Sequence, residues 1–368
     1  MDTDSPKYEH ELYKHCDEKD ADAIAWAFTS SSRMEKFPFK FPPLGKNEIR
    51  VNVLFAGLCQ SDVLSARGKW GKVNYPLAPG HEIIGEVAQL GSEVKDFKIG
   101  EKVGFGTRRH CCGKCNCCKE GLENQCEDKP ERMTFGKYWG GYATQMQQPA
   151  DHFFHLPENF DIEKGAPLFC AGITTYSPMK KFLKPGMKAA VSGIGGLGHM
   201  AIKFLHSFGH HVTGITSSSD KKDLILSLGA DEVICTQNKE EMEKAKGSFK
   251  FMINTLPTTN GYGNLVHLIA PGGFLVQVGE PPSDDKMVTT TFYELVCKEI
   301  TLCGSLVGTR SVIREMISIC AEKNIYPMVE TFSFEDFPKA FNRLENERPK
   351  FRCVVNVGDW AAKNGWKK

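Results

Sequence analysis

The chain has 368 residues, a formal net charge of +1, 41% hydrophobic residues and 25% charged residues. That length accommodates two domains, and the near-neutral balance offers no field to draw in nucleic acid or an acidic membrane. No apolar run approaches the ~20 residues of a membrane helix, so a water-soluble globular protein with neither a nucleic-acid nor a membrane partner is expected.

The opening stretch, MDTDSPKYEHELYKHCDEKDAD, lacks the apolar centre of a secretory signal. Residues 1–22 are polar, carry no clear period and read as an extension or arm. Fourteen cysteines in a long chain without such a signal point to reduced thiols in the cytoplasm, several of them on metal.

Dispersed metal-ligand residues follow. AGLCQSD supplies Cys59, PLAPGHEIIGEV supplies His81 with Glu82 beside it, and APLFCAGITTY supplies Cys170. Each stands where an apolar, strand-like run meets a glycine-marked turn. Two thiolates and one imidazole leave a fourth position open on zinc, which is the catalytic arrangement. Taken singly, such a cysteine is a small buried hydrophobe and such a histidine a packed one; the set gains weight from its surroundings.

Between these lies HCCGKCNCCKEGLENQC, residues 110–126, with six cysteines. Cys112, Cys115 and Cys118 follow C-x2-C-x2-C, and Cys126 comes after seven more residues. Four thiolates at ~2.3 Å complete a tetrahedron around zinc and leave no position for substrate, so this site holds the fold. A register using Cys111 is the alternative, but the C-G-x-C knuckle favours Cys112. A chance cysteine-rich loop or an iron–sulfur loop are the other readings, and both fit this spacing less well.

KAAVSGIGGLGHMAIKFLHSFG reads as strand, glycine turn and helix, with Gly193, Gly195 and Gly198 in G-x-G-x-x-G and Gly196 in addition. This turn lets a pyrophosphate approach a helix N-terminus. HHVTGIT, DEVICT, FKFMINT and GGFLVQVG are short apolar strands alternating with helical stretches, which is a doubly wound parallel sheet. NAD sites place an acid at the end of the second strand, ~20 residues beyond the glycines. Here that place holds Thr216, Ser217, Ser218 and Ser219, then Asp220, Lys221 and Lys222. Hydroxyls and a lysine suit a 2′-phosphate, which favours NADP(H). Ser219 or Asp220 can also cap the helix KKDLILSLG. Further on, Ile313, Met316, Ile317 and Cys320 fall at helical spacing and predict core, and the terminal NGWKK reads as a solvated tail.

Together GLCQSD, PGHEIIGEV, CGKCNCCKEGLENQC, GAPLFCAGITTYSP, GIGGLGHMAIKF and LGADE make the chain resemble the zinc-dependent medium-chain alcohol dehydrogenases, closest to their cinnamyl alcohol dehydrogenase-like branch, over roughly residues 24–357. The resemblance implies an α/β protein. A Rossmann doubly wound parallel-sheet cofactor domain at 172–307 would be inserted into a GroES-like, partly β-barrel catalytic domain at 1–171 and 308–368. It implies two zinc ions per chain, NADP(H), a small-molecule aldehyde or alcohol substrate in the interdomain cleft, and a homodimer through the cofactor domain.

The resemblance also implies roles. Cys59, His81 and Cys170 match the catalytic zinc ligands, and Glu82 matches a carboxylate that binds that zinc in some relatives. Asp62 matches an acid that holds the histidine ligand, and a carboxylate there fixes the imidazole tautomer. Arg352 corresponds to a basic partner for Glu82. Thr174 matches a residue beside the nicotinamide ring, Val278 a backbone contact to its carboxamide, and Ser61 the hydroxyl that relays a proton. Ser61 can alternatively be a helix cap. Where many relatives carry a histidine three residues after that hydroxyl, this chain has Leu64, which moves no proton. That departure admits a second activity, reduction of a conjugated C=C bond by NADPH on the same scaffold; a non-catalytic binding protein is the third reading. Leu64, Trp70 and Phe105 are candidate pocket residues and suggest an apolar or aromatic aldehyde. The loop 127–141 is shorter than in the lignin-forming enzymes.

Overall fold

The run EIRVNVLFAGL alternates half-buried and buried side chains over its first residues and is buried throughout its last three, as suits a strand that enters the core. In the computed structural model this strand, Glu48–Leu58, is the axis of a seven-stranded sheet. The structure describes residues 12–128, 131–132, 138–258, 261–281, 292–347 and 349–366. It divides into two compact units, one of Met1–Cys170, Thr309–Ala321 and Met328–Lys368, the other of Ala171–Gly308 and Glu322–Pro327.

In the first unit, Glu48–Leu58 pairs antiparallel with Ile83–Leu90 on one side and Arg352–Asn356 on the other. Lys102–Phe105 and Phe153–His155 extend the sheet beyond Ile83–Leu90, Val329–Ser333 extends it beyond Arg352–Asn356, and Gln145–Pro149 also pairs with the axis strand. Val51, Val53, Ala56, Leu58, Ile83 and Val103 fill its core with Phe334, Phe337 and Phe341. The helix Arg310–Lys323 buries Ile313, Met316, Ile317 and Cys320, the four positions its spacing marks as core.

Three expectations need correction. Residues 12–22 are not a loose arm: Lys14–His15 is a strand paired with Met34–Lys40 in a three-stranded sheet, and Tyr13 is buried; residues 1–11 lie outside the described residues. A polar two-residue strand has no period to detect, which is why the pattern missed it. Phe105 does not line a pocket: it is fully buried in the sheet core with its ring 4.9 Å from that of Phe153. Of the terminal NGWKK, Trp366 packs on the core, while Lys367 and Lys368 lie outside the described residues. Much of the loop 127–141 also lies outside them.

The second unit is a six-stranded sheet in which every pairing is parallel. Its order is Glu232–Cys235, Val212–Thr216, Ala189–Ser192, Phe249–Asn254, Ile269–Gln277, Thr301–Gly304. The chain works outward from Ala189–Ser192 in one direction and then returns to build the other side, so a switch point falls beside that first strand. All four residues of Ala189–Ser192 are buried, as required of a strand covered on both faces. The second unit is thus the Rossmann-type sheet of an α/β protein.

Phe105→Ala should lower the unfolding free energy by ~3–5 kcal/mol, the cost of a large buried cavity. Denaturant unfolding checks this; wild-type stability with altered substrate preference would return Phe105 to a pocket.

Candidate functional site

Strand pairing in the first unit assembles one cluster from distant sequence. Cys59 follows the axis strand directly and is the N-cap of the helix Gln60–Ala66. His81 and Glu82 immediately precede Ile83–Leu90, whose antiparallel register sets Ile83 opposite Ala56. Gly57 N–H donates to the Glu82 carbonyl at 2.8 Å, carrying the pairing one step further. Cys170 lies between the 3-10 turn Ala166–Phe169 and the helix Ala171–Phe182. One ligand atom from each of Cys59, His81, Glu82 and Cys170 lies within 4.8 Å of the others.

Asp62 organises this cluster. Its carboxylate is wholly buried and accepts four hydrogen bonds. Oδ1 takes Gly80 N–H at 3.1 Å and His81 Nδ1 at 3.0 Å, and Oδ2 takes Cys59 N–H at 3.1 Å and the Tyr142 hydroxyl at 2.6 Å. With Nδ1–H donating to Asp62, the lone pair of His81 is on Nε2. That Nε2 is buried and has no hydrogen-bond partner. An orphaned buried nitrogen beside two thiols is costly unless a cation completes it.

Charges reflect the same crowding. The hydrogen bond between the Cys170 and Cys59 sulfurs, 3.9 Å apart, holds the Cys59 thiol well below its usual value although burial opposes this. The same bond, together with burial, pushes the Cys170 thiol well up. For His81, burial works against the charged form, but the Asp62 charge and hydrogen bond and the neighbouring Cys59 outweigh it and raise the imidazole well above its ordinary value, so that without a cation Nε2 would carry a proton toward Cys59 and with one it offers its lone pair.

Arg352, from the strand on the other side of the axis, donates from Nη2 to Glu82 Oε1. Both side chains are buried. Burial pushes the Glu82 carboxyl up to about 7, with the Arg352 guanidinium pulling it back. Glu82 Oε2 has no partner. Gly57 leaves its room: a Cβ there would stand 2.1 Å from Glu82 Oε2.

Ser61 and Leu64 lie on the helix Gln60–Ala66, three residues apart and so on one face. Ser61 Oγ is 3.6 Å from Cys59 Sγ. Ser61 does not cap the helix, since the N-cap position belongs to Cys59. Trp70 follows the same helix and is partly exposed.

The second cluster is local. Single sulfurs of Cys112, Cys115, Cys118 and Cys126 lie within 4.8 Å of one another. Backbone N–H groups point at them: Cys115 N to Cys112 Sγ at 3.3 Å, Cys118 N to Cys115 Sγ at 3.5 Å and Cys112 N to Cys126 Sγ at 3.3 Å. Hydrogen bonds from the Glu127 and Cys118 backbone lower the Cys115 thiol to about 6. The two extra cysteines stand apart from this set: Cys111 is buried, and Cys117 donates to Glu127 Oε1 at 3.6 Å. This favours the Cys112 register. Glu123, beside the cluster, accepts from Arg310 N–H at 2.8 Å and from its Nε at 3.3 Å, which ties the lobe to the helix Arg310–Lys323.

In the second unit the glycine turn joins Ala189–Ser192 to the helix Gly198–Ser207. Gly193 has φ +83°, and a Cβ on Gly198 would meet Gly193 O at 2.0 Å, so both glycines are sterically required. A Cβ on Gly195 would meet nothing within 4 Å, so the middle glycine faces open space. A tight turn with an open centre is the form that admits a pyrophosphate. Gly196 lies in the same turn. Thr216 ends its strand and is buried; its Oγ1 accepts Ser218 N–H at 3.2 Å. Ser217 and Lys221 are exposed. The capping reading of Ser219 or Asp220 fails: the N-cap of Lys222–Ser227 is Lys221, with no side-chain capping bond, because a 3-10 turn intervenes. Thr174 is buried in the helix after Cys170. Val278 is buried beyond the strand Ile269–Gln277, and its N–H donates to Asn254 O at 2.9 Å. The structure therefore places the two ligand-like clusters in one unit and the glycine turn, Thr216–Lys221, Thr174 and Val278 in the other.

Tyr142, Gly57 and Gly80 were not read from the sequence. Nothing in GGYATQ separates a tyrosine that reaches a carboxylate from one that simply packs.

Arg352→Leu should cost ~3–5 kcal/mol by stranding Glu82, and adding Glu82→Leu should recover most of it. Denaturant unfolding of both variants decides; equal losses in the two would contradict the pairing.

The chain matches two family models. Residues 45–158 match the alcohol dehydrogenase GroES-like domain and residues 196–322 the zinc-binding dehydrogenase. It is similar to cinnamyl alcohol dehydrogenase 2 of Rauvolfia serpentina, 36% identical over 96% of this chain and 98% of that one. It is equally similar, at 36% identity over 88% of this chain and 98% of the relative, to a mannitol dehydrogenase of Petroselinum crispum. Among solved structures, the cinnamyl alcohol dehydrogenase of Helicobacter pylori in complex with NADP(H) superposes with a TM-score of 0.81 at 32% identity, covering 91% of this chain and 97% of that one.

Proposed function

Given that the chain belongs to the zinc-dependent medium-chain alcohol dehydrogenases, in their cinnamyl alcohol dehydrogenase-like branch, we propose that it is an NADP(H)-dependent alcohol dehydrogenase or aldehyde reductase. Its substrate is an apolar or aromatic aldehyde, and it acts as a homodimer. The observation that carries this reading is the orphaned His81 Nε2 beside two buried thiols and the Glu82 carboxylate.

The donor sets fit zinc. Cys59, His81 and Cys170 would hold one ion, with Glu82 as an alternating partner, and Cys112, Cys115, Cys118 and Cys126 a second, closed one. Gly193, Gly195, Gly196 and Gly198 fit a pyrophosphate, and Thr216, Ser217, Ser218 and Lys221 a 2′-phosphate. When bound, zinc supplies Lewis acidity toward a carbonyl oxygen and NADPH supplies hydride. What the chain does is hold these in place. Asp62 fixes the His81 tautomer and orientation. Arg352 keeps Glu82 from standing as an unpaired charge. Thr174 borders the nicotinamide, and Val278 offers its carbonyl to the carboxamide because its N–H is committed to Asn254. Ser61 Oγ passes a proton to the nascent alcohol oxygen and takes one from solvent water in return, since Leu64 offers no side chain for the relay.

Leu64 supports a second reading. A leucine one turn along from Ser61 breaks the usual side-chain route to solvent. Reduction of a conjugated C=C bond puts its proton on carbon and needs no such route from this serine.

Incubating cinnamaldehyde with NADPH, and in parallel with NADH, separates the two. The expected product is the unsaturated alcohol, formed faster with NADPH; Lys221→Glu should cut kcat/KM for NADPH ~10-fold and spare NADH. A saturated aldehyde would replace carbonyl reduction with the second reading, and no turnover of any enal or alcohol would defeat both.

A further inference from the structure

We propose that the N-terminal segment is a positioning element for the Cys59–His81–Cys170 site, acting through Tyr13, Trp139 and Tyr142. The inference rests on reading those three residues as metal ligands.

The contacts form one continuous path. Lys14–His15 pairs with Lys40 and Phe39, which fixes the segment to the three-stranded sheet. Tyr13, just before it, is 3% exposed and stacks on Trp139 with ring centres 4.7 Å apart and planes 21° apart. Tyr13 Oη also accepts the Trp139 N–H at 3.2 Å. Phe37 and Phe39 pack edge-on against the same indole. Trp139 is thus held by its backbone, its ring faces and its Nε1, which donates to Pro76 O at 3.2 Å.

From Trp139 the path runs directly to the site. Gly140 N–H donates to Ala78 O at 2.8 Å, Gly141 N–H to Gly80 O at 3.0 Å and Tyr142 N–H to Pro79 O at 3.1 Å. Residues 140–142 therefore lie against the three residues that lead into His81. The fit leaves no slack: a Cβ on Gly140 would meet Gly80 O at 1.9 Å. Tyr142 then donates its hydroxyl to Asp62 Oδ2 at 2.6 Å, while Asp62 Oδ1 holds both Gly80 N–H and His81 Nδ1. A shift of Trp139 would move Tyr142 and the segment before His81 together. Packing at interior density transmits such a shift rather than absorbing it. Residues that orient a ligating histidine at one remove typically set metal affinity by ~10–100-fold.

A purely structural role would lower stability without singling out one ion. The test therefore measures zinc release to a chelator from the purified zinc-loaded protein, with the four-cysteine lobe as internal control. It is paired with the visible spectrum after cobalt exchange. The variants are Tyr142→Phe, Tyr13→Ala and Tyr13→Phe. Tyr142→Phe should release the histidine-site zinc ~10–100-fold more readily and shift the cobalt bands. Tyr13→Ala should act in the same direction and more weakly, and Tyr13→Phe, which keeps the ring, should restore most of the loss. Lobe zinc should stay as in the wild type. Equal loss from both sites, wild-type release and bands in a folded Tyr142→Phe protein, or wild-type release and bands in a folded Tyr13→Ala protein would overturn the inference. A wild-type protein with lobe zinc alone would defeat the underlying metal reading, and the inference with it.

Discussion

The first unit depends on a single buried anion. Burying a carboxylate costs several kcal/mol, and Asp62 offsets that with four donors drawn from three separate stretches of chain. Those stretches are the turn after the axis strand, the turn before its antiparallel neighbour, and the segment at Tyr142. Each must arrive for the carboxylate to be satisfied, so Asp62 holds the turns in register as well as orienting His81. The unpartnered His81 Nε2 is the consequence: with one ring nitrogen committed to Asp62, the other is left facing the sulfurs.

The two cysteine clusters differ in how they are built. The lobe at 112–126 is closed by local backbone N–H to sulfur bonds, so its geometry follows from its spacing. The dispersed set exists only because antiparallel pairing brings residues 57–59 beside 81–82, and brings Arg352 to the same level from the opposite side. Gly57 is the local condition of that crossing, since any side chain there would occupy the space of the Glu82 carboxylate.

Much of this was legible in the sequence because it is local or periodic. The C-x2-C-x2-C spacing, the glycine turn, the parallel strands after it and the core positions 313, 316, 317 and 320 all carry their signal within a few residues. What was not legible depends on tertiary partners. Tyr13 and Lys14–His15 have no period, and their order comes from Trp139 and the strand Met34–Lys40. Phe105 and Trp70 are both aromatics near glycines, yet only packing separates the buried one from the partly exposed one. The expected cap at Ser219 or Asp220 failed because a 3-10 turn shifted the helix start, a choice propensity does not fix.

The dispersed site turns on whether its donors, His81 among them, hold zinc. X-ray absorption at the zinc edge of the purified protein, with metal content measured on the same sample, tests it directly. Two zinc ions per chain and a ligand shell that requires nitrogen beside sulfur are expected. One zinc per chain with a sulfur-only shell would contradict this, leaving the lobe as the sole metal site and His81 Nε2 without the partner its position demands.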